Sequence, residues 1–201
     1  MPEPIPFRSE LSRKALHLLT LAIPAGLLVL GRDVALWVLV PLAAVAVLAD
    51  VLRVHSAGFK RFIDRFFGFM MRADEQPELG DPVRINGATW VLVASALTAV
   101  LFPVELAAPA LALFLVGDAA AALVGRRFGK HEIGSLGKSW EGSLAFVLAG
   151  GLAAWAFAPA LSPVALIAAS LVGALAEAIP RPFNDNLRVP IAAGVVLALL
   201  A

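Results

Sequence analysis

The residues best suited to chemistry in this chain are acids and bases that stand beside long apolar segments. Asp118, inside the fourth segment, and Glu141, at the start of the fifth, carry hard carboxylate oxygens of the kind that Mg²⁺ uses together with nucleotide phosphates. Glycines between them let backbone amides approach an anion, and Ser139 can cap a helix whose N-terminus also favours phosphate. Together these residues predict a nucleotide triphosphate site. The glycines and cations of this connection are Gly125, Arg126, Arg127, Gly129, Lys130 and Lys138.

A second set of polar residues lies near the N-terminus. Glu10, Arg13, Lys14 and His17 recur at helical spacing and so share one face of a helix that enters the apolar part of the chain. Arg13 and Lys14 are suited either to contact phosphate or to anchor the helix orientation, and both interpretations stay open. His17 lies about one turn further in, where a polar ring needs a partner, so we expect it to hydrogen-bond a substrate hydroxyl.

Further acids lie near the ends of the same apolar segments. Asp50 is near the end of the second segment and Glu177 near the end of the sixth, while Asp185 stands between Asn184 and Asn186. Ionisable groups that border hydrocarbon are costly and are usually paired or functional, so we expect these acids to converge on one polar cavity. For Asp50 and Glu177, a structural ion pair is an equally good interpretation.

Apolar segments of spanning length must position these residues. The chain has 201 residues, is 60% hydrophobic and has a mean hydropathy of +0.87, outside the range of an ordinary soluble domain. It has no cysteine, which excludes disulfides and thiolate sites. The segments predict an all-α integral membrane protein of about seven transmembrane helices, with a single catalytic domain over residues 1–201. They are Ala15–Leu30, Val34–Leu52, Gly87–Phe102, Leu106–Val124, Trp140–Ala158, Pro163–Ile179 and the short Val189–Ala201.

Positive charge predicts the orientation. Of the 16 Lys and Arg residues, all except Arg32 fall on one side of the predicted spans, which the positive-inside rule assigns to the cytoplasm. We therefore expect the N-terminus and the active face inside and the C-terminus outside. From Phe59 to Met70, apolar residues recur three and four positions apart opposite charged ones, which predicts an amphipathic helix in the cytoplasmic interface. It would either cap the bundle or help to admit a lipid.

Four groups of these residues, in this order, resemble the membrane polyprenol kinase family, which includes dolichol kinase, phytol kinase and CTP-dependent diacylglycerol kinase. The match runs through most of the chain. The resemblance implies phosphoryl transfer, with Mg²⁺, from CTP to the hydroxyl of a membrane isoprenoid alcohol such as phytol, geranylgeraniol or another polyprenol, or to that of diacylglycerol. CTP comes from the resemblance alone. The groups are Arg13-Lys14-x-x-His17, Asp118-x-x-Ala121-x-x-x-Gly125-x-x-x-Gly129, Lys138-Ser139-x-Glu141-Gly142, and Glu177 followed by Asn184-Asp185-Asn186-Leu187 and Pro190.

The resemblance also implies roles for single residues. Asp118 and Asp185 would bind Mg²⁺, with Glu141 as a further ligand or as support. Lys138 would contact the β- and γ-phosphates, and the lipid hydroxyl would lie near His17. A general base stays open, with Asp50 and Asp185 as candidates. The other nucleotide contacts would be Arg13, Lys14, Gly125, Arg126, Arg127, Gly129, Lys130 and Ser139, and the other lipid contacts Asp50, Asn184 and Asn186.

Two other classes of protein compete with this interpretation. Phosphatidate cytidylyltransferase shares a Gly-Asp pair, a Gly-Arg-x-Phe-Gly-Lys-His stretch and a Lys-x-x-Glu-Gly element, but its C-terminal Lys-Arg-x-x-x-x-Lys-Asp and His-Gly-Gly elements are missing here. A transporter needs polar groups along a path through the bilayer, and only Arg32, Asp33 and Glu105 mark the outer side. We expect a nucleotide triphosphate and a membrane lipid alcohol as partners and no nucleic acid. The short last segment suits a homo-oligomer.

Overall fold

The computed structural model describes residues 6–71, 75–134, 137–179 and 184–201. Within these ranges the chain is helical and forms no β-strand, and an isolated bridge joins Glu132 to Ser139. The described α-helices are α1 (Phe7–Leu19), α2 (Ala22–Leu30), α3 (Arg32–His55), α4 (Ala57–Phe67), α5 (Gly87–Leu101), α6 (Val104–Phe128), α7 (Trp140–Phe157), α8 (Pro163–Ala178) and α9 (Asp185–Leu200), with a 3₁₀ turn (Gly68–Met70) after α4.

Several helices begin at a side chain that caps their first turn. Serine or asparagine oxygens accept hydrogen bonds from backbone N–H groups that the helix itself leaves without partners. Because Ser139 and Asn184 fix where α7 and α9 begin, they also fix where the neighbouring Glu141 and Asp185 emerge. The capping residues are Ser56 for α4, Asn86 for α5, Ser139 for α7, Ser162 for α8 and Asn184 for α9.

Among the described residues, four stretches are long and apolar enough to cross a membrane, namely Phe7–Leu30, Arg32–His55, Val104–Phe128 and Trp140–Phe157. Gly87–Leu101 and Pro163–Ala178 are shorter apolar helices. The prediction of an all-α, multi-pass membrane protein is therefore confirmed, and the full set of seven spans stays a prediction.

The first spanning stretch is a pair of helices. It begins at Phe7, earlier than the predicted Ala15, and a turn at Thr20 and Leu21 separates α1 from α2. The turn arises because Pro24 has no N–H to donate to the Thr20 carbonyl. Residues of α1 that precede the predicted span are therefore held in the same helix as His17.

Helix α6 is the central helix of the bundle. It packs against α1, α2, α5, α7, α8 and α9, and every residue from Ala107 to Leu115 is buried. Its most extensive packing is with α7, because small residues let the two backbones approach closely. A Cβ added at Gly142 would lie 2.9 Å from the Ala121 carbonyl oxygen. The absence of a side chain at Gly142 therefore lets the start of α7 lie close against the half of α6 that carries Asp118.

The polar residues gather at one end of the bundle. This charged end is formed by the N-termini of α1, α5, α7 and α9 and the C-termini of α3, α6 and α8. There Asn86 of α5 contacts Asp50 of α3, and Lys138, before α7, contacts Glu177 of α8. At the opposite end, Arg32 donates to a carbonyl near the end of α5. The alternating direction of the helices thus collects at one end the connections in which we predict a site.

The interfacial helix predicted over Phe59–Met70 coincides with α4 and the 3₁₀ turn. None of the α4 residues is buried, and Phe62, Phe66 and Phe67 are exposed. A helix is therefore present at this position. Its location in a membrane interface stays a prediction.

Candidate functional site

Asp118 of α6 lies beside two side chains of α1. The Lys14 ammonium donates to Asp118 Oδ2, and His17 Nε2 lies 3.3 Å from the same oxygen. Lys14 is 3% exposed, and a buried ammonium needs an acceptor to offset its lost hydration. The His17 ring also packs edge-on against Phe114, with ring centroids 5.5 Å apart. Lys14 and His17 therefore meet at the carboxylate of Asp118, which is 104 positions from Lys14 in the chain.

A second set of ion pairs joins the start of α1 to the end of α6. Buried Glu10 lies 2.5 Å from Arg13 Nη2 and 3.5 Å from Arg126 Nη1. Arg13 also interacts electrostatically with Asp118 and Glu75. The cations of this set therefore lie near the same polar region as Asp118.

Lys138 contacts two acids from other helices. Its Nζ lies 2.5 Å from Glu177 Oε1 and 3.4 Å from Asp185 Oδ2, and it donates to the Glu177 carbonyl as well. Glu177 in turn interacts electrostatically with Asp118. The two lysines and their acids therefore belong to one charged site. This site comprises Lys14, His17, Asp118, Lys138, Glu177 and Asp185.

On either side of residues 135–136, the described parts of the connection from α6 to α7 pair as the two arms of a short hairpin, which presents Lys138. The Ile133 N–H donates to the Lys138 carbonyl at 2.8 Å. Gly134 and Gly137 have φ angles of 56° and 66°, in the left-handed region that residues with a Cβ rarely adopt. Glycine is therefore favoured at both positions, and the pairing of the two arms fixes where Lys138 stands relative to α8.

Glu141 lies outside the charged site. Its Oε1 is 2.7 Å from His131 Nδ1, and its Oε2 accepts from the His131 N–H at 3.4 Å. The His131 side chain is 77% exposed, so this pair lies on the surface of the hairpin. The structure does not bring Glu141 together with Asp118 and Asp185, the acids with which we predict a shared metal site.

Asp50 belongs to a separate polar cluster between α3 and α5. Its carboxylate accepts from Asn86 Nδ2 at 2.6 Å and from the Asn86 N–H at 3.1 Å, and it lies 3.4 Å from Arg53 Nη1. Arg53 also donates to the Glu75 carbonyl at 2.6 Å, and Asn186 Nδ2 lies 3.5 Å from a backbone oxygen at the start of α5. Because Asp50 and Arg53 are each 1% exposed and engage one another, the structural interpretation of Asp50 gains support.

The remaining predicted residues also lie at the charged end. A Cβ added at Gly125 would lie 3.2 Å from Ser139 Oγ, so this glycine lets α6 approach the cap of α7. Asn184 accepts from the Asn186 N–H at 3.0 Å and caps α9. Their roles toward a nucleotide or lipid stay predictions. The predicted nucleotide-binding residues that are exposed at this end are Arg126, Arg127, Gly129 and Lys130.

The acids of the charged site suit a divalent cation when phosphates complete its coordination. Among the residues that the structure describes, no three Cys, His, Asp or Glu side chains lie close enough to form a metal site of their own. Mg²⁺ commonly binds through one or two carboxylates together with waters and substrate phosphates, and Asp118 and Asp185 supply such oxygens. Magnesium brought with a nucleotide stays a prediction, with Asp118 and Asp185 as its expected ligands.

Two residues of this end make contacts that the sequence interpretation does not predict. Asn86 directly precedes an apolar segment, which is a helix-capping signal, but its bond to Asp50, 36 positions away, has no local signal. His131 lies within the predicted phosphate connection, between Lys130 and Lys138, and its contact with Glu141 depends on how that connection folds.

An all-α, multi-pass membrane fold with a charged site at one end of the bundle defines the class of this protein. Over 191 residues the chain is 26% identical to an uncharacterized protein, RP860, of Rickettsia prowazekii (strain Madrid E), and the match covers 92% of this chain and 91% of that protein. No family model matches the chain, and no solved structure matches it. The similarity to the Rickettsia protein spans nearly the whole chain and assigns no activity to it.

Proposed function

We propose that this protein is a CTP-dependent lipid kinase that phosphorylates the hydroxyl of a membrane isoprenoid alcohol, such as phytol, geranylgeraniol or another polyprenol, or that of diacylglycerol. The observation that carries the proposal is the meeting of Lys14 and His17 with Asp118 at one end of an apolar bundle. These residues come from two of the groups that resemble the polyprenol kinases. The third group contributes Lys138, which contacts both acids of the fourth.

Phosphoryl transfer needs positioned reactants and neutralised charge more than covalent help from the protein. The lipid hydroxyl oxygen forms a bond to the γ-phosphorus while the bond from that phosphorus to the β–γ bridging oxygen breaks. CDP leaves and the hydroxyl proton is released. Lys138 would bind the β- and γ-phosphates, and Lys14 and Arg13 would balance the remaining negative charge. Mg²⁺, held by Asp118 and Asp185, would supply further charge neutralisation.

The acceptor hydroxyl would lie beside His17. His17 Nε2 is buried and makes no hydrogen bond within the described part of the chain, although Asp118 lies 3.3 Å away. A substrate hydroxyl can therefore complete its hydrogen bonding. Of the two predicted bases, Asp50 is already engaged by Asn86, whereas the Asp185 side chain is 40% exposed and so is the better placed.

Labelled CTP tests the proposal. Purified protein in micelles with Mg²⁺ is offered phytol, geranylgeraniol, diacylglycerol and phosphatidate, with CTP labelled at either the α- or the γ-phosphate, and the lipids are separated by thin-layer chromatography. We expect the γ-label on one of the alcohols and no α-label on any lipid. Transfer of the α-label to phosphatidate would make the protein a phosphatidate cytidylyltransferase and refute the kinase.

A matched pair of carboxylate substitutions locates the reaction. Asp118→Asn should abolish γ-label transfer because it removes a charge at the centre of the site. Asp33→Asn should leave transfer unchanged, since Asp33 is an exposed acid at the opposite end of the bundle. Full transfer by Asp118→Asn at normal expression would exclude Asp118 from the reaction.

A further inference from the structure

One side of α4 is a row of aromatic rings. Phe59, Phe62 and Phe66 follow one another at helical spacing, and the ring centroids of Phe62 and Phe66 are 5.2 Å apart. Phe59 is half-buried. Phe62 and Phe66 are 56% and 53% exposed, and none of the residues of α4 is buried. Contiguous aromatic surface of this kind marks a contact with a partner or a membrane.

The sides of α4 that border the aromatic row carry positive charge that nearby acids do not cancel. Lys60 pairs with Asp64 at 2.8 Å and lies 3.9 Å from Glu78. Arg61 and Arg65 are exposed, and neither forms an ion pair with an acid among the described residues. Because they are four positions apart, both guanidinium groups project from one face of the helix. Helix α4 therefore has an aromatic face and a cationic face.

Helix α4 is joined to the bundle mainly at its two ends. Ser56 caps its start directly after α3, and its packing is mainly with α3 and with the 3₁₀ turn that follows it. The turn packs against α1, which carries Lys14, and Met70 within the turn is buried. The two faces of α4 can therefore contact a surface beside the charged end. The 3₁₀ turn connects α4 to α1.

We propose that α4 docks on the surface of the bilayer that holds the protein and binds the phosphate headgroups of anionic phospholipids. The phenyl rings of Phe62 and Phe66 enter the boundary between headgroups and acyl chains, and Arg61 and Arg65 reach the phosphates. An anionic membrane is the occupant because it supplies an apolar layer and negative charge at the level where the charged end meets the headgroups. This contact does not depend on the proposed kinase reaction.

Hydrogen–deuterium exchange on the full chain in lipid nanodiscs tests this contact. Discs of phosphatidylcholine are compared with discs that also contain phosphatidylglycerol, and exchange is followed at the backbone amides of residues 57–70. Each basic residue near an anionic surface adds about five-fold in binding, so two arginines add up to about 25-fold. We expect slower exchange in the anionic discs, loss of that difference in R61Q/R65Q, and its retention in R61K/R65K, which keeps both charges.

Two further measurements separate docking from general stabilisation. Amides of Ala107–Leu115 in the centre of α6 should exchange equally in both kinds of disc. Raising the ionic strength to 1 M shortens the screening length to about 3 Å and should remove most of the difference at residues 57–70. Equal exchange of these amides by the wild-type protein in both discs would overturn the proposal, as would an undiminished lipid effect in R61Q/R65Q with an unchanged Tm.

Discussion

The buried Lys14–Asp118 pair can be tested by removing its two charges separately and together. Asp118→Leu leaves the Lys14 ammonium, which is 3% exposed, without its carboxylate. Lys14→Met leaves the Asp118 carboxylate with His17 Nε2 at 3.3 Å. Breaking one partner of a buried pair costs about 3–5 kcal/mol, whereas replacing both partners by apolar groups of similar volume is often neutral.

The magnitudes of the three changes follow from these contacts. We expect Asp118→Leu to lower the free energy of unfolding by about 3–5 kcal/mol and Lys14→Met by somewhat less, because His17 still faces the carboxylate. The double variant should lie within about 1 kcal/mol of the wild type. For a chain of this length, 1 kcal/mol corresponds to about 2–4 °C in Tm, so Asp118→Leu should lower Tm by about 10 °C.

Thermal unfolding and lipid phosphorylation are then measured on the same preparations in one detergent. Both single variants should unfold earlier than the wild type, the double variant should recover, and all three should lack γ-label transfer. A double variant whose loss of stability equals the sum of the single losses would show that the two side chains do not act as a pair. Transfer by the stable double variant would remove both residues from the proposed reaction.

Substitutions at three places test other parts of the charged end: at Lys138, in the Glu141–His131 pair and at Gly142. Lys138→Met leaves Glu177 and Asp185 without their cation, so transfer should fall by about 100-fold or more and the KM for CTP should rise. Lys138→Arg should retain part of the activity. An unchanged KM for CTP in Lys138→Met would exclude phosphate binding by Lys138. Glu141→Gln and His131→Ala should each leave Tm almost unchanged and leave the Mg²⁺ requirement of transfer unchanged, because they break one surface pair. A changed Mg²⁺ requirement in Glu141→Gln alone would indicate that Glu141 is a metal ligand. Gly142→Ala should lower the free energy of unfolding by about 1–3 kcal/mol, measured by thermal unfolding, because its Cβ would lie 2.9 Å from a carbonyl oxygen of α6. Gly26→Ala, whose Cβ would have nothing within 4 Å, should match the wild type.

Hydropathy predicts the class of fold correctly, but the spans that it predicts are too short where a helix carries charged residues. The pattern places the start of the first span at Ala15, whereas α1 begins at Phe7. The helix continues through Glu10, Arg13 and Lys14 because these residues find partners inside the bundle. A hydropathy window counts each charge as if it faced hydrocarbon alone, so it ends the span too early.

The charge pattern predicts which residues share one side of the membrane but not which of them meet. Lys14 and Asp118 are separated by 104 positions and Lys138 and Glu177 by 39, so their pairing depends on how α1, α7 and α8 pack around α6. Local signals succeed where the interaction spans one turn, as with the cap that Ser139 provides for α7. The pairing of Glu141 with His131 fails to follow from spacing because two glycines with positive φ fold the connection back on itself.

The ion pairs also explain why cations expected to bind phosphate and acids expected to bind magnesium lie in contact. An uncompensated charge at the end of an apolar bundle is costly, so Lys14 pairs with Asp118, and Lys138 pairs with Glu177 and Asp185. A magnesium nucleotide carries both kinds of charge, with phosphates for the lysines and a cation for the carboxylates. In the proposed reaction it would replace each pair without leaving a buried group uncompensated, whereas the metal or the nucleotide alone would leave one set without partners. In the proposed complex, the residues of these ion pairs would therefore exchange partners while each charge stays balanced.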